Sequence, residues 1–215
     1  MTFLELCQRL RQEVGAAGTG PAAVTGQHGE YARLIGWIQQ AWMEIQTRRT
    51  DWRFSWAEGE VELESGYRDY ALPDDFARFI PGTIYLDDRQ LTLLPYSEFR
   101  RRFRKAAPER PRHITVTPGD VMRLGGALTF DGMPSEDETL SFEYFRKPQV
   151  LSANGDTPRL PEEHHMAIVY RAMTQYGLYE NAPEVIQQGA SNEARLMNEI
   201  ERSQLPAVVL PGGLA

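Results

Sequence analysis

The feature that most restricts the fold is a change of hydrophobic period along the chain. Apolar residues recur every three or four positions near both ends, which is the spacing of one face of an α-helix. The middle of the chain instead alternates apolar and polar residues, as a half-buried β-strand does. This order predicts an α+β protein, in which a helical core carries an inserted, antiparallel β-rich domain.

Helical periodicity predicts four helices, at about 2–14, 30–48, 161–179 and 182–203. The second has the clearest stripe, which runs over four turns and consists of Tyr31, Leu34, Ile35, Ile38, Trp42 and Ile45. Pro161 is expected at the first position of the third helix, where its missing N–H has no partner in any case. Residues 15–29 are rich in glycine and small side chains and predict a flexible loop.

A β-hairpin is predicted over residues 51–76. Val61 and Leu63 alternate with glutamates, Ser65 and Gly66 form a turn, and the strand pattern then returns and ends before Pro73. Further strands are expected at 83–86, 90–94, 113–117, 121–130 and 139–146, with a short helix at 96–105. The chain is thus predicted to divide into a helical core (1–50 and 159–203), the inserted domain (51–158) and an extended C-terminal arm (204–215).

Composition excludes several classes of function. The formal net charge of −7 argues against a protein whose main task is to hold nucleic acid. No apolar run approaches the roughly 20 residues that a membrane span requires. Cys7 is the only cysteine, so no internal disulfide is expected and nothing suggests export. No phosphate-binding glycine loop and no serine nucleophile motif is present.

Two glutamates and two histidines stand together in RLPEEHHMAIVYRAM, residues 159–173. A zinc-binding helix offers histidines four residues apart, whereas the adjacent His164 and His165 point about 100° apart. Glu162 and Glu163 fall in the first helical turn, where the helix dipole favours negative charge. We therefore interpret the stretch as the water-facing start of a helix, with no catalytic, metal or cofactor role. The alternative is a small metal-dependent hydrolase that uses these four residues.

The basic run RRRFRK, residues 100–105, is the second candidate site. Phe99 and Phe103 lie four residues apart, so an amphipathic helix could bury both and expose the basic side chains. No base-stacking platform or groove-reading motif accompanies them. We expect Arg100, Arg101 and Arg102 to lie on a solvated face or at a subunit interface. The alternative is a DNA-binding accessory protein that also uses Arg104 and Lys105.

Two further features indicate a protein partner. Trp37 lies off the apolar stripe of the second helix, where it is predicted either to anchor a subunit interface or to be covered by the β-rich domain. The C-terminal arm is uncharged before its carboxyl terminus and is interrupted by prolines, so it cannot extend the last helix. We expect it to lie on a neighbouring chain through Leu205, Pro206, Val208, Val209 and Leu210.

The chain resembles the head-to-tail adaptor (connector, or head completion) proteins of tailed bacteriophages. The resemblance covers about residues 1–203 through the order and spacing of segments. The most characteristic are WIQQAWMEIQTRRTDWRF followed by YALPDDF; FEYFRKP and LPEEHHMAIVYRAM come later in the chain. The C-terminal tail matches least well.

This resemblance implies a structural, non-enzymatic protein of the virion neck. Members of the family form a ring, usually of twelve subunits, that docks on the portal protein and presents a surface to the tail or tail-completion protein. Double-stranded DNA passes through the ring only as cargo. The resemblance also implies assembly in the host cytoplasm, and no cofactor or membrane.

Overall fold

The computed structural model describes residues 1–64, 67–103, 111–125 and 138–206. The chain divides into two compact units, which are described separately below. The helical unit comprises Met1–Ser55 and the described residues from Pro148 onward, and the β-rich unit comprises the described part of Trp56–Lys147. Helices and sheets are both present, so the predicted α+β class is confirmed.

The helices lie where hydrophobic periodicity predicts them. Their bounds are α1 (Phe3–Glu13), α2 (Gly29–Thr47), α3 (Tyr96–Arg102), α4 (Met166–Glu180) and α5 (Pro183–Gln204). All except α3 belong to the helical unit. Thr2 and Glu5 form a capping box at the start of α1, and Asn181 ends α4 in the left-handed region at φ 55°.

The helical unit is built around one apolar core. Every predicted stripe residue of α2 is buried except Tyr31, which is half-buried and packs against the same core. Residues 15–29 have no regular secondary structure but are attached to α1 and to the 153–156 turn. Arg11 Nε donates to the Ala17 carbonyl (2.7 Å), and the Asn154 side chain accepts from Val24 N (2.7 Å).

The prediction that Pro161 is the first residue of an α-helix is wrong. The residue precedes a 3₁₀ turn, Glu162–His164, which closes through a hydrogen bond from His164 N to the Pro161 carbonyl (2.9 Å). With ψ at 141°, Pro161 has extended rather than helical backbone, and α4 begins only at Met166.

The β-rich unit contains two sheets. Their strands are β1 (Trp56–Glu62), β2 (Asp69–Ala71), β3 (Phe76–Phe79), β4 (Tyr85–Leu86), β5 (Arg89–Gln90), β6 (Thr92–Leu93), β7 (His113–Val116), β8 (Val121–Gly125) and β9 (Thr139–Arg146). In the first sheet β9 is central, with β1 on one side and both β3 and β4 on the other. The second sheet has the order β2-β8-β7-β6. Both sheets contribute to a shared hydrophobic core, including Phe142 from the first and Met122 from the second.

The predicted hairpin over 51–76 is wrong. β1 pairs with β9, and β2 pairs with β8 in the other sheet. Alternation identifies a strand but not its partner, and here the partner lies about 80 residues further along the chain. The turn proposed at Ser65 and Gly66 lies outside the described residues.

The β-rich unit is also not wholly antiparallel. β6 and β7 pair in parallel, because the chain leaves β6 through α3 before it returns as β7. The predicted strand 90–94 is split into β5 and β6, which belong to different sheets. Residues 126–130 of the predicted strand 121–130, and Arg104 and Lys105 of the predicted helix 96–105, lie outside the described residues.

In the parts of the chain that the structure describes, no helix is long and apolar enough to cross a membrane.

Candidate interaction surfaces

The two histidines of the Glu-Glu-His-His stretch are buried, which corrects the interpretation of the whole stretch as a water-facing helix start. His165 is only 1% exposed and His164 8%, whereas Glu162 and Glu163 are exposed. The His165 ring is held on both sides. Nε2 lies 2.7 Å from the Leu160 carbonyl, and Nδ1 lies 2.8 Å from the amino group of Met1. A carbonyl only accepts, so Nε2 carries the proton and Nδ1 accepts from Met1.

This geometry stabilises a neutral histidine. Burial lowers the pKa of His165 below its usual value, and the hydrogen bond to Leu160 opposes this shift only in part. His164 contacts another element, with Nε2 3.4 Å from Ser203 Oγ on α5. Among the described residues, no group of three or more histidine, cysteine or acidic side chains could hold a metal ion. The two histidines thus connect parts of their own unit, because His165 contacts Met1 and His164 contacts α5.

The basic run lies on a short helix that is fixed to the second sheet by aromatic packing. Phe99 is buried, and its ring centroid is 4.9 Å from that of Phe103, which in turn is 5.4 Å from the His113 ring. Gly125 permits this approach, because a Cβ there would lie 3.0 Å from both Phe99 Cε2 and His113 Cβ. The predicted amphipathic character of α3 is thus present, with Arg100, Arg101 and Arg102 exposed.

Beside α3 lies a cavity of about 250 Å³, here called the arginine pocket. It is lined by Arg68, Tyr96, Phe99, Arg100, Phe103 and Arg123. Arg123 makes a bidentate ion pair with Asp69, at 2.6 and 2.7 Å, and this hydrogen bonding lowers the pKa of the Asp69 carboxyl. The pocket thus contains three guanidinium groups and one adjacent carboxylate.

The three exposed arginines of α3 are not equivalent. Arg102 pairs with Glu98 one turn earlier, at 2.5 Å. Within the described part of the chain, Arg100 and Arg101 form no ion pair. Their charges are therefore available to a carboxylate or phosphate group from outside the described residues.

A surface that the sequence analysis did not identify lies on the first sheet. Four glutamates, Glu58, Glu60, Glu62 and Glu143, share the side of β1 and β9 that faces away from the core, and are here called the glutamate face. Glu58 and Glu143 are directly opposite each other in the strand register. Within the described residues none of the four forms an ion pair. The available signal was the alternation Glu58-x-Glu60-x-Glu62 on a single strand.

Trp37 is half-buried within the helical unit. Its ring centroid lies 5.7 Å from those of both Tyr176 and Tyr179 on α4, and the Arg33 guanidinium stacks 4.5 Å from the Tyr179 ring. Tyr179 remains 56% exposed and its neighbour Leu178 is also exposed. Residues of its own unit thus cover part of Trp37, and the cluster continues to the surface.

Of the C-terminal arm, only Leu205 and Pro206 follow α5 within the described residues. Leu205 has extended backbone, with φ −97° and ψ 150°, and packs partly against the helical core. Val208, Val209 and Leu210 lie outside the described residues.

Comparison with known proteins defines the class of the protein. The model of the family described as "SU10 adaptor protein" matches residues 1–210, which is nearly the whole chain, and no curated protein matches. This family is one of phage head-to-tail adaptors. The chain belongs to the SU10 adaptor protein family.

Family membership confirms the resemblance found in the sequence and gives its general consequences. The protein is a structural component of a bacteriophage, located at the neck of the virion. Its partners belong to the capsid or portal on one side and to the tail on the other.

Proposed function

We propose that the protein forms a closed ring that docks on the portal protein after genome packaging and presents a surface to the tail or tail-completion protein. Double-stranded DNA passes through the lumen of this ring as cargo. The match to the adaptor family over residues 1–210 carries the proposal. The ring has twelve subunits, as the resemblance implies, and assembles in the host cytoplasm.

The acidic balance of the chain supports passage rather than retention of DNA. With a net charge of −7, the protein offers few cations for counterion release, and among the described residues the longest run of exposed arginines is only three residues, 100–102. The role is structural and not enzymatic. This agrees with the burial of His164 and His165, which leaves neither free to bind substrate.

Neighbouring subunits use two different patches, because a ring requires a heterologous contact. The Trp37–Tyr176–Tyr179 cluster is proposed as one such contact with the next subunit. Large aromatic side chains that are already partly ordered lose little entropy when a partner covers them. The rings of this cluster are already partly ordered, because Trp37 packs against Tyr176 and Arg33 stacks on Tyr179.

The C-terminal arm is proposed to bind the portal or the neighbouring subunit as an extended segment. Leu205 ends α5 with extended backbone, and Pro206 cannot continue the helix. In this proposal Val208, Val209 and Leu210 supply apolar side chains to the partner. Because Leu205 packs on its own core, the truncation that tests the arm should remove 207–215 only. That variant should melt at the temperature of the full-length chain and fail to dock on portal particles.

The test of the ring is imaging of purified protein mixed with its portal, together with native mass measurement. A ring of subunits beneath the portal, centred on its channel, is the expected result. An assembly limited to a twofold dimer, or density only at the capsid surface, would contradict it. Normal docking by the chain without 207–215 would contradict the role of the arm alone.

A further inference from the structure

Opposite charges lie on opposite sides of the β-rich unit. The two sheets share one core, and the glutamate face is on the side of the first sheet that points away from this core. On the second sheet, Met122 and Leu124 point into the core, whereas Arg123 and Gly125 alternate with them and face α3. The arginine pocket is therefore separated from the glutamate face by two sheets and a core. The two patches cannot meet within one subunit.

The glutamate face is destabilising in the isolated subunit. Like charges directly opposite each other on paired strands repel, and Glu58 opposite Glu143 is such a pair. Glu58, Glu60 and Glu62 are exposed on β1, which is at the edge of its sheet in the described structure, so their side chains are accessible to a second molecule. Cations supplied from outside would relieve the repulsion.

The arginine pocket has the chemistry to supply those cations. A guanidinium group offers a planar fork of donors that matches a carboxylate, and the aromatic floor formed by Phe99 and Phe103 reduces competition from water. Arg123 already forms an ion pair with Asp69, whereas Arg100 has no ion-pair partner among the described residues. A cavity of about 250 Å³ accepts one or two side chains, whereas a DNA backbone requires a longer row of cations.

We propose that the arginine pocket, with Arg101 at its side, binds Glu58 and Glu60 of a second copy of this chain. The contact is head-to-tail, because each copy offers its glutamate face to one neighbour and its arginine pocket to the other. It deepens the proposed function, on which it rests, by naming the surfaces that join successive subunits of the ring. Charge complementarity favours a second copy as the partner of the arginine pocket. Every copy carries both the basic pocket and the acidic face that it would bind.

The first test is site-specific crosslinking between two variants that each carry one introduced cysteine. Glu60→Cys and Arg100→Cys proteins are mixed with a short bis-maleimide, alone and on portal particles. Native Cys7 should remain silent, because burial raises the pKa of its thiol to about 12. We expect at least fivefold more crosslinked dimer than in a mixture of Glu184→Cys with Arg100→Cys, because Glu184 is an exposed residue of α5.

The second test exchanges the charges. Glu58→Lys/Glu60→Lys and Arg100→Glu/Arg101→Glu proteins should each fail to form rings on the portal. An equimolar mixture of the two should regain them, because each altered patch then meets its complement on the other protein. The matched control is Arg195→Glu/Arg202→Glu on α5, which changes the net charge of the chain by the same amount as Arg100→Glu/Arg101→Glu. This control should assemble like the unaltered chain.

Several results would overturn the inference. These are a crosslink yield no higher than the control in both settings, and normal rings from either charge-reversed protein alone. A further one is an Arg100→Glu/Arg101→Glu protein that assembles normally but loses retention of DNA, since the pocket would then serve the nucleic acid. Rings that form without the crosslink would leave the proposed function intact, whereas absence of rings from the unaltered chain would contradict that function itself.

Discussion

The helical and the β-rich units differ in how they use charge. In the helical unit, charged side chains pair with each other: Arg11 with Glu30, and Arg171 with both Glu44 and Glu193. In the β-rich unit, the glutamate face sets like charges opposite each other, and Arg100 and Arg101 have no ion pair within the described residues. The charges of the first unit thus stabilise its own fold. In the β-rich unit, Arg123 with Asp69 and Arg102 with Glu98 do the same, whereas the glutamate face, Arg100 and Arg101 contribute no such pair within the described residues.

The largest difference between the units should appear at two tryptophans. Trp42 is 1% exposed in the helical core, whereas Trp56 is 41% exposed at the start of β1, with its ring centroid 6.1 Å from that of Phe145. Trp42→Ala should lower the free energy of unfolding by about 3–5 kcal/mol, because it leaves a large cavity. Trp56→Ala should lower it by less than about 1 kcal/mol. Urea denaturation measures both, and equal losses would contradict the comparison.

Removal of a paired charge from the helical unit should be clearly destabilising. Arg171→Met removes the cation that lies 2.5 Å from Glu44 and 3.5 Å from the nearly buried Glu193. Among the described residues, Glu193 then keeps only the ion pair with Arg48, at 3.8 Å. We expect a loss of about 1–3 kcal/mol by urea denaturation, because a carboxylate is left poorly satisfied. Arg195→Met, which removes an exposed pair on α5, is the control and should change stability by less than about 0.5 kcal/mol.

A pH-dependent loss of stability should come from the helical unit through His165. Burial holds its pKa below the unfolded value of about 6.5, so the unfolded chain binds this proton first. The contribution of His165 is therefore complete above about pH 6.5 and is lost as the pH falls from there towards the folded pKa. His165→Gln should be less stable than the unaltered chain at pH 7.5, by about 1–2 kcal/mol.

The diagnostic measurement for His165 is the change in unfolding free energy between pH 7.5 and 5.5. This change should be smaller in His165→Gln than in the unaltered chain, because glutamine does not titrate. His28→Gln is the matched control, since His28 is exposed in the loop before α2. An identical pH dependence in the His165 variant would exclude this residue as the cause.

The smallest effect should have the opposite sign. Glu58→Gln removes one of two like charges that face each other across β1 and β9, so it should stabilise the chain by about 0.2–1 kcal/mol. Glu60→Gln is the control, because Glu60 lies opposite Ser141. The gain should shrink when salt is added, since salt screens exposed charges. A loss of stability in Glu58→Gln would show that the glutamate face has partners within its own subunit.

The sequence predicts the helices well because their signal is local. The stripe of α2 is visible within four turns, and each of its residues lies within the same element. Strands are also detected by alternation, but their partners are not. β1 and β9 are about 80 residues apart, and the sequence of neither strand indicates which strand it pairs with. Pairing with the next strand along the chain was therefore expected, and this expectation was wrong.

The candidate sites show the same limit. The position of His165 depends on Met1 and Leu160, which belong to different parts of the chain, so its burial could not be read from four adjacent polar residues. The glutamate alternation was visible in β1, but the repulsion arises only when Glu143 is placed opposite Glu58. Arg100, Arg101 and Arg102 were identified correctly as an exposed face of an amphipathic helix, but that helix ends at Arg102, and Phe103 beyond it is only half-buried. Arg68, just before β2, and Arg123 on β8 join the pocket through a strand pairing that the sequence did not reveal.

The central position of β9 has a consequence for biosynthesis. It is the last strand of its unit to leave the ribosome, yet β1, β3 and β4 all require it as a partner. The first sheet therefore cannot close until synthesis has passed Arg146, and long-range pairing of this kind is slow. During that interval β1 is an unpaired strand in a crowded cell. Glu58, Glu60 and Glu62 place a negative charge at every second position of β1, and charges of this kind oppose the pairing of an exposed strand with another copy.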